Sequence, residues 1–383
     1  MIQPLPIEKY RNTYDPAKIK CASTEEMRPL EEIIGQERAL RALRFGLEIK
    51  QPGFNVYAAG AQGTGRKTAV QSFLGQLRKE KPRADDWIYV HNFENSYEPN
   101  AIRMPPGMGE PFKKDMARFI EEAKRTLPKV FQSEEYATRR DEMLGSLQAK
   151  RNDLLAQMNQ RAAEKGFLIQ PSPAGILAIP IVNGQPLPQE EFLNLPPEQR
   201  EEIQRRREVL NADFRDVSRQ IQEIERQGAE AVENLNREVT LYAIGHLLTD
   251  LKEKYTEIEE ISHYIEAVQK DILDNLEIFL GIPQQQQQVP FQLQAMMQQL
   301  QEQIFRKYEV NVIVDNSNDG GAPVVYEQNP TYQNLFGKVE KEVQLGALTT
   351  DFTMIRPGSI HKANGGYLLL NVEDLFRIPR AHF

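Results

Sequence analysis

Apolar positions change their period several times along the chain. Between residues 30 and 50, LEEIIGQERALRALRFGLEIK spaces them as a helix does. Phe54, Val56 and Tyr57 alternate like a short strand, which enters a glycine-rich turn followed by a second helical pattern. DWIYVHNF (86–93) predicts a further parallel strand. From Phe112 to about Ala163 the spacing is helical again, through Tyr136, Met143, Leu147 and Leu154. GFLIQPSPAGILAIPIVNGQPLPQEEF breaks that pattern. Its Asn183-Gly184 pair suits a tight hairpin turn, and Pro180, with no N–H for a ladder, predicts an edge strand. A long helix is expected from about Pro197. Ile203, Leu210, Val217, Ile224 and Ala231 fall on one seven-residue track, with Phe214, Ile221 and Leu235 on its companion. This heptad seam, interrupted at Gly228 and flanked by Glu and Arg, predicts a solvated arm packed on an antiparallel partner. Its hairpin tip is a candidate contact surface for a protein ligand. After a glutamine run within 284–303, read as a surface linker and polar helix, short strands return in YEVNVIVD (308–315), APVVYE (322–327) and GGYLLLNV (365–372).

Composition narrows the function classes. The chain has 383 residues and a formal charge of −8, with no long Lys/Arg block, which argues against nucleic acid as a partner. Cys21 is the only cysteine, so neither an intrachain disulfide nor a cysteine zinc site can form. The N-terminus lacks a basic stretch before an apolar core, and no run approaches 18 apolar residues, so a cytoplasmic protein without membrane contact is expected. The pattern divides into residues 1–110, a helical insertion over 111–303, and residues 304–383.

One stretch carries specific chemistry: YAAGAQGTGRKTAVQSF, residues 57–73. A phosphate-binding loop reads G-x-x-x-x-G-K-[ST]; its amides wrap phosphate, its lysine reaches the β and γ oxygens, and its hydroxyl holds Mg²⁺. Here Gly60, Gly63 and Gly65 shape the turn, but Arg66 stands at the lysine position and Lys67 at the hydroxyl position, with Thr68 one residue late. An ammonium has no lone pair for a metal. Downstream, the apolar run Tyr367, Leu368, Leu369, Leu370 is followed by Asn371, where an acid would complete the metal shell, and then by Val372, Glu373 and Asp374. Each lost preorganised group costs about 2.7–4 kcal/mol of barrier lowering, so these changes predict negligible ATP turnover. Passive nucleotide binding through the loop amides stays open. The expected cofactor is none, with ATP the one candidate. The five histidines show no metal spacing, G-x-S-x-G is absent, and Glu259-Glu260 and Asp85-Asp86 read as solvated faces, so no catalytic residue or metal ligand is expected.

Several stretches together resemble one family. LEEIIGQERALRAL, the glycine turn, DWIYVHNFENSYEPNAIRMPPGMGEPFKKDM, NPTYQNLFGKVE and RPGSIHKANGGYLLLNVEDLF are similar to the N-terminal half of Lon-like proteases. The similarity is to the branch with a long helical insertion in its AAA+ module, which includes forms whose ATPase has decayed. It covers nearly the whole chain, and HKANGGYLLL and NLFGKVE are its specific parts. The resemblance implies an α/β fold: an AAA+-like P-loop domain split by a coiled-coil hairpin insertion, with a small β-hairpin near 167–190 at its tip. It puts Gly60, Gly63, Gly65, Arg66 and Lys67 at the Walker A positions, Asn371 at the Walker B acid, and Gly35 and Gln36 beside the adenine. Leu335, Phe336 and Gly337 would form an aromatic pore loop facing unfolded chains. The resemblance further implies an N-terminal piece whose Ser–Lys dyad lies in a domain beyond Phe383. The expected function is that of an ATP-inactive module of a Lon-like serine endopeptidase, serving hexamer assembly and capture or gating of unfolded protein substrates. Two alternatives stand beside it: an ATP-driven unfoldase using Lys67-Thr68 and Glu373, and a non-enzymatic scaffold.

Overall fold

The computed structural model describes residues 5–377 apart from 11–12, 20, 28–34, 50, 52, 62, 173–174, 183–184, 188–191, 193–194, 282–301, 319 and 345–346. The chain is mostly helical, with several small sheets. No described residue before Phe73 is buried. The first helix, α1 (Glu37–Glu48), lies inside the stretch expected to be helical and rests Leu43 and Leu47 on α2 (Arg66–Glu80). Phe54, Val56 and Tyr57 belong to no strand and are exposed. Three apolar residues running into Ala58-Ala59-Gly60 leave a strand little side chain to pack.

The central sheet corrects the parallel pairing expected for 86–93. β1 (Asp86–Val90) lies between β2 (Asn100–Met104) and β6 (Val310–Val314) and is antiparallel to both. The connection 91–99 is shorter than the dozen or more residues a parallel crossover needs, so β2 folds straight back on β1. Asp86 is corrected too: it is fully buried, not part of a solvated face. The inward face of β1 is Asp86, Ile88 and Val90, so the aspartate shares the side of its apolar neighbours.

That face packs on helices, and the two build the largest of the buried clusters. Ile88, Val90, Ile102 and Met104 meet Phe112, Met116 and Phe119 of α3 (Gly109–Phe131). Ile244 and Leu248, late in the long helix 197–254, close the same core, as do Ile261, Ile265 and Val268 of the helix 259–274. Asp115 on α3 fastens this junction, accepting from Lys254 Nζ at 2.5 Å and from the Tyr255 hydroxyl at 2.8 Å. Burial pushes the Asp115 carboxyl up, but the bonds from Lys254 and Tyr255 outweigh it and hold the group below its ordinary value. A depressed carboxylate stabilises the fold above its unfolded pKa of about 3.9 and loses that contribution as pH falls through the folded value. Urea midpoints of the wild type should therefore drop below about pH 4, and Asp115→Asn should flatten that part of the profile. An unchanged acid limb in Asp115→Asn would remove Asp115 as its cause.

The arm leaves this core as α4 (Glu134–Glu164) and returns as α5 (Pro197–Lys254), a single 58-residue helix. The two are antiparallel. Near the base the Tyr136 hydroxyl donates to Asn236 Oδ1 at 2.8 Å, and near the tip Lys165 pairs with Asp213 at 2.6 Å. The heptad tracks meet as expected, with Leu210, Phe214, Val217 and Leu235 buried. Gly228 does not interrupt the helix. It is buried, and a Cβ there would lie 3.3 Å from Leu147 Cδ1, so glycine lets the two helices approach.

At the tip, β3 (Phe167–Ser172), β4 (Gly175–Val182) and β5 (Gln185–Pro186) form a three-stranded sheet in that order. The expected turn at Asn183-Gly184 lies outside the described residues, but the pair Val182 and Gln185 brackets it. Pro180 stands in the middle strand, not at an edge. The Leu187 N–H donates to the Pro180 carbonyl at 2.8 Å, so the missing proline N–H faces the short third strand, whose ladder stops there. The glutamine run lies almost wholly in the undescribed stretch 282–301. Beyond it, α6 (Glu259–Asp274) and α7 (Leu276–Leu280) having closed the core, the chain enters β6.

The last part is built on β7 (Val324–Glu327) and β12 (Tyr367–Leu370), a parallel pair with Leu369 opposite Tyr326. α2 covers it, burying Phe73, Leu74 and Leu77 against Val324, Tyr367 and Leu369. Between the two strands come α8 (Tyr332–Phe336) and the short pairs β8 (Lys338–Val339) with β11 (Ile355–Arg356) and β9 (Glu342–Gln344) with β10 (Ala347–Thr349). The turn α9 (Ser359–Lys362) precedes β12, and α10 (Val372–Arg377) follows it.

Candidate functional site

The glycine turn forms the entry to α2. Gly63 and Gly65 take φ of +77° and +74°, the left-handed region that glycine enters without strain, and Gly65 stands immediately before Arg66, the first helical residue. Thr64 closes the turn through its hydroxyl, donating to the Ala61 carbonyl at 2.8 Å. The Arg66 side chain lies along Gly60, where a Cβ would come within 3.1 Å of Arg66 Cδ. Thr68 is the third residue of the helix and is exposed.

Lys67 does not point away from the fold. Its ammonium sits 4.1 Å from the centre of the Tyr326 ring, on β7. Register then locates the rest of the site: Tyr326 is opposite Leu369 and Glu327 opposite Leu370, so Asn371 follows at the same carboxyl ends of the parallel pair. Crevices at the carboxyl ends of parallel strands are where open α/β sheets hold ligands. Asn371 is engaged locally, donating through Nδ2 to Asp374 at 2.8 Å and accepting from the Glu373 N–H at 3.4 Å, which caps α10. The strand has ended at Leu370, so Glu373 lies in the first turn of a helix. Glu327 accepts from the Ser359 hydroxyl at 2.5 Å and from the Asn329 N–H at 2.8 Å, tying α9 to the same end. Among the described residues, no group of three or more His, Cys, Asp and Glu side chains is placed to hold a metal ion.

Gly35 and Gln36 lie exposed just ahead of α1. Leu335, Phe336 and Gly337 divide by role. Leu335 is buried at 3 % exposure, and Gly337 turns with φ +86° against residues 356–358, where a Cβ would lie 2.3 Å from the Arg356 carbonyl. Phe336 is the exposed member, 42 % accessible, and its ring lies tilted against that of Tyr332 with ring centres 4.9 Å apart. The two rings help line a groove of about 400 Å³, together with Tyr89, Ile313, Val339 and His361. His361 is fixed by accepting the Gly358 N–H on Nδ1 at 3.3 Å.

Sequence reasoning missed Tyr326 and Tyr332. Tyr332 was findable, since it lies four residues before Phe336 and that spacing on a helix brings two rings together. Tyr326 carried no local signal, because its partner Lys67 is remote in sequence.

Two family models match the chain, in chain order. Residues 86–119, spanning β1, β2 and the start of α3, match the Lon-like LonC helical domain. Residues 320–382, which contain the parallel pair and most of the groove's lining, match the LonB-like AAA domain. No curated protein matches. Among the described residues no helix is long and apolar enough to cross a membrane. Lon-type models thus match both the sheet–helix junction and the α/β part, and the two matches together support placing this chain among Lon-like proteases.

Proposed function

We propose that this chain is the AAA+-like module of a cytoplasmic Lon-like serine endopeptidase, that it does not turn over ATP, and that it serves oligomer assembly and the capture or gating of unfolded protein substrates. The observation that carries the ATP-inactive reading is the donor set at the ends of β7 and β12. Where a magnesium nucleotide needs a hydroxyl, Lys67 offers an ammonium already set over Tyr326; where it needs an acid, Asn371 offers a neutral carboxamide already bonded to Asp374. These residues do not fit Mg·ATP. Incubated with ATP and Mg²⁺, the chain should release no phosphate above a blank. Turnover that Arg66→Ala abolishes would overturn the reading.

The substrate role draws support from the arm and from the exposed Tyr332–Phe336 pair. Aromatic pairs beside apolar grooves supply much of the contact energy in chain recognition. Removing Phe336 with Tyr332 (both to Ala) should weaken binding of an unfolded model protein about 5-fold, roughly 1 kcal/mol. Deleting the tip sheet should lower it as well. Unchanged affinity in both variants, measured by fluorescence anisotropy, would leave the capture role without a surface.

One observation favours a second reading, a nucleotide-driven motor. Because β12 ends at Leu370, Glu373 is not on the wrong face of a strand. Tight ATP·Mg²⁺ binding by calorimetry, lost in Lys67→Ala, would support it.

A further inference from the structure

α2 is tied to the parallel pair at both ends. At its C-terminus the Lys81 ammonium lies 4.7 Å from the centre of the Tyr367 ring, and the Ala322 N–H donates to the Arg78 carbonyl at 3.2 Å. Its middle is held by Phe73, Leu74 and Leu77. At its N-terminus the tie is Lys67 over Tyr326. That N-terminal turn has no buried residue of its own, since Arg66 to Val70 are exposed or half-buried. In a working phosphate-binding loop the ligand and its metal would couple this turn to the strands.

We infer that the Lys67–Tyr326 contact is an internal substitute for a bound nucleotide: it latches the first turn of α2 to β7, so that the glycine loop and the α/β part stay in one arrangement without any ligand. The inference rests on the ATP-inactive reading above and deepens it. The chemistry suits the task. A lysine placed over an aromatic face is attracted by the ring quadrupole, and the attraction is not lost when ligand concentration changes. Lysine at position 67 thus does two things at once, withholding a metal ligand and replacing the tie that ligand would have made. The loop closes on itself in the same sense, through the Thr64 hydroxyl and the Ala61 carbonyl.

Hydrogen exchange read by mass spectrometry on the full chain tests the latch. In Lys67→Ala and in Tyr326→Leu, amides of residues 63–70 should exchange roughly 2- to 5-fold faster than in the wild type, the range that exposed cation–π pairs correspond to. The double variant should be no faster than either single one, because both remove the same contact. Lys67→Arg, which keeps a cation over the ring, should retain wild-type protection, and peptides around Lys81 should not change in any variant. Unchanged exchange over 63–70 in the single variants, or additive acceleration in the double one, would overturn the latch. Calorimetry with ATP·Mg²⁺ on the wild type separates the two ideas. Tight wild-type binding that is lost in Lys67→Ala would favour the motor over the ATP-inactive reading, whereas exchange rates measured without nucleotide report on the latch alone.

Discussion

Asp86→Ala should destabilise the protein by about 3–5 kcal/mol in urea unfolding, one of the largest effects of any single side chain here. Asp86 is fully buried and accepts three backbone N–H groups: Gly107 and Gly109 on Oδ2, both at 2.9 Å, and Asn316 on Oδ1 at 2.8 Å. Removing the carboxylate leaves two buried donors and the half-buried Gly107 N–H without that partner, and each buried loss costs about 1–3 kcal/mol before relaxation. Placement adds to the effect. Gly109 opens α3, where the helix N-terminus favours a negative charge, while Asn316 follows the end of β6. The side chain therefore fastens the start of β1, the first turn of α3 and the exit of β6 at one point. Asp86→Asn keeps one acceptor oxygen and turns an amide NH₂ toward a donor, so it should fall between wild type and Ala. A loss below about 1 kcal/mol in Asp86→Ala would mean that water or rearranged backbone satisfies the donors.

Gly366→Ala is the second large effect, about 2–4 kcal/mol. A Cβ at 366 would lie 1.9 Å from the Pro323 carbonyl oxygen, and both atoms belong to backbone that sets the register of β12 on β7. The Tyr367 N–H donates to that same carbonyl at 2.8 Å, so neither side can retreat without breaking the first bond between the strands. Gly75→Ala is the control. It lies within α2 with no atom within 4 Å of the added carbon, and alanine there should stabilise the helix by roughly 0.5–1 kcal/mol. Thermal melts of the pair should thus move in opposite directions. A melting temperature in Gly366→Ala equal to the wild type would show that β7 and β12 can separate to admit a methyl group.

The same close approach explains why some of the fold was legible in the sequence. The segments that carried the family resemblance, NLFGKVE, RPGSIHKA and NGGYLLL, hold Gly337, Gly358 and Gly366, each pressed on a backbone carbonyl of another segment. Such contacts tolerate no side chain and leave a mark in sequence. The arm was legible for a different reason: its heptad seam is local periodicity, and α4 and α5 meet as the tracks predict. Pairing direction was not legible. A mostly apolar run such as DWIYV reads the same whether its neighbours run parallel or antiparallel, and only the length of the connection decides between them. Nor was burial of Asp86 legible, because the partners that solvate it in the interior are backbone amides, identical in every residue type. At the site, the identities of Lys67 and Asn371 could be read directly. Their engagement with Tyr326 and Asp374 needed the structure.

The unbroken α5 has a mechanical consequence. Leu210 and Phe214 belong to the cluster at the tip, while Ile244 and Leu248 belong to the core of the body, so one rod is embedded in both. At 1.5 Å per residue, the span from Ile203 to Leu251 is roughly 70 Å without a joint. The other limb does have one, at Gln132 and Ser133, where α3 gives way to α4. With a joint on only one of its two rails, the arm cannot swing as a free flap. A load at the tip must bend α5 or pull on the wall of the core that α5 itself forms, so whatever touches the far end is felt beneath the sheet.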